Sequence, residues 1–486
     1  MRNKLIGLAL IIATGGTVVS CNKDEKLNKP PQTSVSEASA FSTPARIANQ
    51  VLSLYSNLKS GTFYGGRYLV YNEVRGENFL NVTSNLVTAS DVWKMNPTNS
   101  ATSVTGLWRQ AFRTINFCNV FLEGMDKTGT AVINDAAVSN RYKAEARLVR
   151  AVCYYSLLQL FARPYADGAG SKPGLPMRTT AITGLGFTDM ARGTVAEGYK
   201  LVTDDLDFAE SNLSLTNTGA NNNTIRAHRN TAIALKTRVY LSMQMYDKVI
   251  TEANKIVSAT APFTATTGVT HALQADINTI FKSSYTTTES IFSLPMSSTS
   301  GDNPGTQNSL TSYFYMAAST PGATEFNINP AGIVSNANWK STDRRRVFLT
   351  TVGSSQYMSK FTTASPYTDY VPVIRYAEVL LNLAEAKARQ LQVVDAQAVA
   401  LLNAVRQRSD NTTTFAPATA AELISLIMIE RQIELLGEGL RGPDITRLLG
   451  TFPGKGSAPL VSPADAGYIF PISSDELSLN KLMTDN

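Results

Sequence analysis

Residues 374–390 read IRYAEVLLNLAEAKARQ, and this stretch decides the fold. Its apolar side chains recur at three- and four-residue steps, which predicts one apolar stripe along a helix. The stripe consists of Ile374, Ala377, Leu381, Ala384 and Ala388. The charged residues off the stripe, which we expect to meet water, are Glu378, Glu385, Lys387 and Arg389. The pattern predicts a helix that packs against other helices.

Paired helical patterns recur along the chain. Two further helices are predicted after this one, in residues 395–411 and 420–450, and earlier pairs fall in residues 41–58, 107–161 and 195–257. Small and aromatic residues take the packing positions of a tetratricopeptide unit at Ala234, Tyr240, Tyr246 and Ala253. Recurring helix pairs indicate a solenoid. We therefore predict a mainly all-α fold, built as a tetratricopeptide-like helical-repeat scaffold.

Two long stretches lack a helical pattern. Residues 61–97 are rich in Gly, Asn, Tyr and Thr, and residues 258–370 are rich in Thr, Ser, Asn and Gly with interleaved aromatics. Both are predicted to be long loops. The second is too long to be an idle connection in a compact protein, which indicates a functional region of mixed structure.

The N-terminus is predicted to be a lipoprotein leader. Arg2 and Lys4 precede a short apolar run, and small residues follow up to Ser20, which is typical of a secretory signal peptide over residues 1–20. Cys21 resembles the acylated cysteine of a bacterial lipobox. The following Lys23, Asp24 and Glu25 resemble a surface-export signal of lipoproteins, with a merely soluble tether as the alternative. Residues 21–40 are predicted to be a flexible tether.

Composition argues against several classes of function. The net charge of +6 is mild for 486 residues, and no Lys/Arg run suggests nucleic-acid binding. There are two histidines and no HExxH, CxxC or GxSxG motif, so no catalytic residue, metal site or cofactor is predicted. Cys118 and Cys153 lie in helical patterns, and both buried thiols and a disulfide remain open for them.

Aromatic and polar residues in the two loop stretches are the better functional signal. Flat aromatic faces pack on the C–H faces of sugars, while amides and charges at the rim bond hydroxyls. The candidate ligand-binding residues are Tyr64, Tyr71, Arg75, Asn78, Trp93, Asn96, Tyr313, Tyr315 and Trp339. For any one of them core packing is the alternative. Trp93 and Trp339 lie in polar, non-helical stretches where no core stripe is evident, so we expect them to stack on a ligand.

Several motifs, in order, resemble the SusD/RagB family of surface nutrient-binding lipoproteins. The quoted stretches are YKAEARLVRAVCYYSLLQLFARPYA (142–166), DYVPVIRYAEVLL (369–381), LNAVRQR (402–408), ERQIE (430–434), EGLRGPDITR (438–447) and IFPI (469–472), with Asn480 after them. One departure is Gly442-Pro443, which stands where the family usually has an aromatic pair. Glu438, Arg441, Asp444 and Arg447 lie three apart and are expected to pair along one helix face as structural residues.

The resemblance implies a scaffold in residues 41–260 and 371–486. It also implies a ligand-binding region in residues 261–370, with the loops of residues 61–105. It implies a glycan ligand, no enzymatic activity, a lipid anchor in the outer membrane with exposure at the cell surface, and a TonB-dependent transporter as partner. Two alternatives stay open: a peptide-binding member of the family, and a helical scaffold that binds only another protein.

Overall fold

The structure is a computed structural model that describes residues 37–486, apart from 185, 187, 283 and 318–323. The predicted signal peptide, Cys21 and most of the tether lie outside the described residues. Within the described part, no helix is long and apolar enough to cross a membrane. Cys118 and Cys153 are both free and buried, which agrees with the expectation of two apolar thiols.

Helices dominate the fold, as predicted. In chain order they are α1 (Glu37–Ala40), α2 (Pro44–Leu58), α3 (Arg67–Val74), α4 (Ser90–Trp93), α5 (Thr102–Gly124), α6 (Thr130–Ile133), α7 (Ala136–Phe161), α8 (Val195–Asn212), α9 (Asn222–Ile225), α10 (Arg229–Ser242), α11 (Tyr246–Ala253), α12 (Leu310–Phe314), α13 (Tyr376–Leu391), α14 (Ala396–Ser409), α15 (Ala420–Glu434), α16 (Arg441–Thr446) and α17 (Ser474–Leu479). A single π turn, Met125–Gly129, joins α5 to α6.

The strands are short and pair in twos. They are β1 (Phe79–Asn81), β2 (Ser290–Leu294), β3 (Phe326–Ile328), β4 (Leu349–Val352), β5 (Ser355–Met358) and β6 (Val371–Arg375). The pairs β1–β3, β2–β6 and β4–β5 are all antiparallel. The β2–β6 pair joins the loop-rich region of residues 258–370 to the start of α13.

The scaffold is a succession of packed helices. α7 packs between α5 and α8, and the succession continues through α10, α11 and α13 to α14 and α15. Side chains fix where these helices begin, because they bond backbone N–H groups that lack a partner in the first turn. Thr194 and Glu197 form such a capping box at α8, with Glu197 N donating to Thr194 Oγ1 over 3.1 Å.

The stripe of α13 is buried as predicted, but its acidic residues do not meet water. Glu378 and Glu385 are fully enclosed. Glu378 Oε2 lies 2.6 Å from Arg238 Nη2, and Glu385 Oε2 lies 2.7 Å from Arg447 Nη2. The prediction of exposure was wrong because α13 is surrounded on all sides and its carboxylates are balanced by arginines of other elements. Ile374 belongs to β6 rather than to the helix.

The last predicted helix is interrupted. Residues 435–440 separate α15 from α16, and Gly437 (φ 79°) and Gly439 (φ 75°) adopt the left-handed conformation that glycine favours. The predicted pairing along one face holds only for Asp444 and Arg447, whose Oδ1 and Nη2 atoms are 2.9 Å apart. It is wrong for the other two residues. Arg441 Nη2 instead lies 2.6 Å from Glu77 Oε1, and Glu438 Oε2 lies 2.7 Å from Arg375 Nε.

A connected network of charges lies inside the protein between the loop-rich region and α14–α15. Its cations are Arg345, Lys360, Arg375, Arg406 and Arg408. Its carboxylates are Glu289, Asp343, Glu430, Glu434 and Glu438. Five positive and five negative groups therefore balance one another, which is what makes their burial tolerable.

The prediction of loops over residues 61–97 was wrong. The segment contains α3, β1 and α4, and every residue of α3 is buried. A helix that is enclosed on all sides has no polar face, so its sequence lacks the expected periodicity. Gly442 lies directly against α3: a Cβ there would stand 2.7 Å from Asn72 O. This close approach leaves no room for a side chain at Gly442.

Candidate functional site

Most of the nine predicted ligand-binding residues lie inside the protein. The buried ones are Tyr64, Tyr71, Arg75, Asn78, Trp93, Tyr313 and Trp339. Tyr315 is half-buried and Asn96 is exposed. The structure therefore does not gather the nine into one open surface.

Trp93 and Trp339 belong to the hydrophobic core, with exposures of 4% and 2%. Trp93 Nε1 donates to Phe79 O over 2.8 Å, and the Arg346 guanidinium lies 4.5 Å from the Trp339 ring centre. The expectation that these rings have no core to join was wrong, because short non-helical segments wrap around them. Sequence periodicity does not reveal that kind of packing.

The buried polar candidates make contacts within the protein. Arg75 stacks on Phe452, with its guanidinium 4.4 Å from the ring centre, and donates to Tyr468 O. Asn78 Oδ1 accepts from Ile333 N and from Gln432 Nε2, both over 3.0 Å. These side chains connect loops to one another.

A pair of tyrosines stacked at the surface is the strongest aromatic feature that remains available to a ligand. The rings of Tyr285 and Tyr370 are 4.4 Å apart and 12° from parallel, and both residues are half-buried. Tyr367, on the same loop as Tyr370, is half-buried too. We call Tyr285, Tyr367 and Tyr370 the tyrosine shelf.

Asp369 holds the shelf in place. Its Oδ1 accepts from Tyr285 Oη over 3.0 Å and from Thr363 Oγ1 over 2.7 Å. Its Oδ2 accepts from Thr311 Oγ1 over 3.0 Å and from Thr363 N over 2.8 Å. Burial, and then the negative charge of Asp369, raise the pKa of Tyr285, so its hydroxyl stays a donor at neutral pH. Thr311 lies in α12, and Tyr315, which directly follows this helix, donates its N–H to Thr311 O over 2.9 Å.

The backbone of the shelf is strained. Ser284 (φ 81°), Tyr285 (φ 43°) and Tyr367 (φ 62°) have positive φ values, which are rare for residues other than glycine and rarer still for bulky ones. Such conformations persist only where the surroundings impose them, and they cluster at functional sites. Eight other non-glycine residues of the described chain also have positive φ values, so the strain supports the shelf only together with the ring stack.

Polar groups border the shelf. Thr286 Oγ1 lies 3.5 Å from Asn221 Oδ1, and Ser290 Oγ donates to Tyr285 O over 3.3 Å. Flat rings flanked by hydroxyl and amide groups suit a ligand with an apolar face and several hydroxyls. From the sequence, Tyr285 and Tyr367 stood out only as aromatics within a polar segment, and no signal paired Tyr285 with Tyr370.

Acidic and basic residues near the other loops are engaged structurally. Glu73 accepts from Gly439 N over 3.1 Å, and burial raises its pKa to about 7. Lys455, in the glycine-rich turn of residues 450–456, donates to Arg75 O over 2.8 Å and is buried. Its ammonium group therefore faces the protein interior. Among the residues described, no cluster of three or more His, Cys, Asp or Glu side chains could hold a metal ion.

Asn96 lines a separate cavity of about 480 Å³. Arg163, Asp465 and Asn486 contribute further polar groups to it, and Pro97 and Ile469 contribute apolar surface. Of the nine predicted candidates, only Asn96 lines this cavity.

Two family models match the chain. The model of the SusD family matches residues 307–452, and a model described as "Starch-binding associating with outer membrane" matches residues 26–241. Together they cover both the helical scaffold and much of the loop-rich region.

Solved structures share the fold over nearly the whole chain. A SusD superfamily protein from Bacteroides fragilis is 32% identical with a TM-score of 0.81, and the match covers 91% of this chain and 99% of that one. A laminarin-binding SusD-like protein is 18% identical with a TM-score of 0.72, and the match covers 92% and 99% of the two chains.

A curated relative matches over a shorter region. The SusD-like protein of Formosa agariphila is 23% identical over 251 residues, which is 50% of this chain and 44% of the relative. The match with this relative thus spans less than half of its length.

Proposed function

Because this chain belongs to the SusD family, we propose that it binds a glycan without transforming it, and that the tyrosine shelf contacts the sugar. The observation that carries the proposal is the Tyr285–Tyr370 stack, which is half-buried, clamped by Asp369 and supported by a strained backbone. A preorganised aromatic surface loses little conformational entropy when a ligand binds. Sugar rings offer the apolar C–H face that such a surface takes up.

The predicted residues that reach the surface extend this proposal. In this proposal the half-buried Tyr315, at the end of α12, adds a further ring for the ligand, and Asn96 bonds hydroxyls in its own cavity. The buried candidates act by holding the loops and do not touch the ligand. The laminarin-binding relative and the starch-binding family description support a glycan as the ligand class.

We also propose that Cys21 anchors the protein in the outer membrane, at the cell surface, where it works with a TonB-dependent transporter. The leader pattern of residues 1–21 supports the anchor, and the family description supports association with the outer membrane. One or two acyl chains attach a protein to a bilayer without spanning it.

A binding experiment tests the ligand. Mature protein is titrated with neutral oligosaccharides from a glycan array, and the best ligand is then titrated against Tyr370→Ala. We expect a loss of affinity of about tenfold or more, which corresponds to about 1.4 kcal/mol for a lost stacking surface. Phe117→Ala is the matched control, because Phe117 is an exposed aromatic on α5 outside the shelf.

Three outcomes would contradict the proposal. Binding of peptides in place of glycans would identify a peptide-binding member of the family. Capture of a partner protein with no affinity for either would identify a helical scaffold. Unchanged glycan affinity in Tyr370→Ala would show that the ligand binds somewhere other than the shelf.

The anchor is tested separately by mass spectrometry of the mature N-terminus. We expect an acylated Cys21 with no residue before it, and we expect Cys21→Ala to leave the membrane fraction. An intact Ser20–Cys21 bond with a free thiol would disprove the anchor.

A further inference from the structure

A second cavity, whose lining contains no shelf residue, lies between α5, the residues Arg178, Ile182 and Thr188 of the following connection, and α17. Its volume is about 260 Å³. The side chains that matter for its chemistry are Phe112, Asn116, Arg178, Ile182, Glu476 and Asn480. At about 30 Å³ per water, this space equals roughly nine water molecules, the size of one small organic ring with its substituents.

Asparagine side chains hold the irregular wall of the cavity by hydrogen bonds to its backbone. Asn116 Oδ1 accepts from Ile182 N over 2.8 Å, and its Nδ2 donates to Ile182 O over 2.9 Å. Asn480 binds Met190 in the same way, over 2.9 and 2.8 Å. Asn119 Nδ2 donates to Arg178 O over 3.0 Å. The wall is thus tied down at both ends, and the cavity is already formed before any ligand arrives.

The cavity contains one cation and one anion that neutralise each other. Arg178 Nη2 lies 3.0 Å from Glu476 Oε1, and both side chains are 13% exposed. Arg178 Nη1 donates to Thr188 O over 2.6 Å, and Glu476 Oε2 accepts from Trp108 Nε1 over 3.2 Å. Because the two charges already balance, the cavity offers an ionic ligand no uncompensated counter-charge, whereas an uncharged ligand needs none. Three of the five N–H groups of Arg178 are not used in these bonds.

One side of the cavity is apolar. Phe112 is half-buried and packs on Trp108, with ring centres 4.8 Å apart and planes at 42°. Ile115 and Ile182 extend the same side. An aromatic ring that faces amides and a neutralised ion pair matches a ligand with a C–H face and a ring of hydroxyls.

We propose that this cavity binds one uncharged sugar residue or a polyol of the same size, at a site separate from the tyrosine shelf. The residues that form the cavity also hold the C-terminal segment in place, because Glu476 lies in α17 and Asn480 directly follows this helix. Phe112 stacks on the ligand, and Arg178 and the second N–H of Asn116 Nδ2 orient its hydroxyls. The amide of Asn480 is fully bonded within the protein and only shapes the wall.

The test uses neutral monosaccharides, with glucuronic acid and a free amino acid as charged comparisons. Binding to the mature protein is followed by saturation-transfer NMR and calorimetry at millimolar ligand. Thr188→Trp fills the cavity from its exposed rim, and Thr183→Trp is the matched control on the same connection, outside the lining. We expect at least tenfold weaker binding in Thr188→Trp and in Phe112→Leu, and no change in Thr183→Trp.

Other results would overturn the proposal. No neutral monosaccharide binding, or binding that survives Thr188→Trp, would exclude the cavity. Preference for glucuronic acid or the amino acid would contradict the uncharged ligand class. Tyr370→Ala separates the two sites: it should leave monosaccharide binding intact, and a loss there with none in Thr188→Trp would place the sugar on the shelf.

Discussion

His228 and His271 stack on each other inside the protein, with ring centres 5.3 Å apart and planes 22° from parallel. They are the only two histidines of the chain. His228 Nε2 lies 3.2 Å from Ile291 O and His271 Nδ1 lies 3.1 Å from Thr288 O, so each of these nitrogens carries a hydrogen. Burial lowers the pKa of His228 to about 3, helped by the second ring, and that of His271 to about 4.

The histidine pair should make the protein sensitive to mild acid. In the unfolded chain both rings take up a proton near pH 6.5, whereas in the native protein they resist it until about pH 4 and below. The unfolded state therefore binds more protons, and native stability falls as pH drops from about 6.5 to 4. At about 1.4 kcal/mol per pKa unit, we expect a loss of several kcal/mol, measured by urea unfolding across this range.

The control for this experiment is the double variant His228→Gln/His271→Gln. Glu73 acts in the opposite direction, because its pKa is raised to about 7 and its contribution is lost as pH rises from about 4.5. The difference in unfolding free energy between wild type and variant cancels Glu73 and the other carboxylates. A pH-independent difference would show that the histidines are not the cause.

Leu381→Asp should destabilise the scaffold strongly. Leu381 is fully buried on α13, and an unpaired carboxylate there should cost several kcal/mol. Gln390→Asp, on the exposed end of the same helix, should cost less than about 0.5 kcal/mol. Lys387 is less suitable as the control, because its Nζ lies 3.5 Å from Asp395 Oδ1. Equal thermal midpoints for the two variants would contradict the assigned face.

Arg345→Met should lower the stability of the protein far more than Arg344→Met. Arg345 is enclosed and pairs with Asp343 (2.6 Å), Glu430 (2.6 Å) and Glu434 (3.0 Å). Removing it leaves buried carboxylates without their cation, at a cost of about 3–5 kcal/mol. Arg344→Met, at an exposed position, should stay within about 0.5 kcal/mol of wild type. Chemical unfolding of both variants measures the difference.

Trp93→Ala and Trp339→Ala should each lower stability by about 3–5 kcal/mol, because both rings are core residues. Phe117→Ala, which removes an exposed ring, provides the comparison. Thermal midpoints of the three variants measure the difference in stability. Wild-type stability together with weakened glycan binding would show instead that the tryptophans contact the ligand.

The long helices were predictable from the sequence, because an apolar stripe such as that of Leu381 is itself a local signal. α3 was not, because it has only eight residues, all of them buried, and its apolar residues form no such stripe. The burial of Glu378 and Glu385 was not predictable either. Their partners Arg238 and Arg447 are distant in sequence, so the local pattern around the two glutamates does not reveal the ion pairs that allow them to be buried.

The candidate site was only partly predictable. Composition drew attention to the aromatic, polar segment that contains Tyr285, Tyr367 and Tyr370. The stack itself joins residues 85 positions apart along the chain and depends on positive φ values at Tyr285 and Tyr367, neither of which sequence composition encodes.

The internal charge network also constrains how the molecule can come apart. Glu289 and Arg345 lie in the loop-rich region and Arg375 ends β6, while Arg406 and Glu434 lie on α14 and α15. If either part opened alone, charges would be left without partners in the part that stayed closed. We therefore expect the elements from β2 to α15 to open as a single cooperative unit, so that their slowest amide hydrogens exchange with solvent at one common rate.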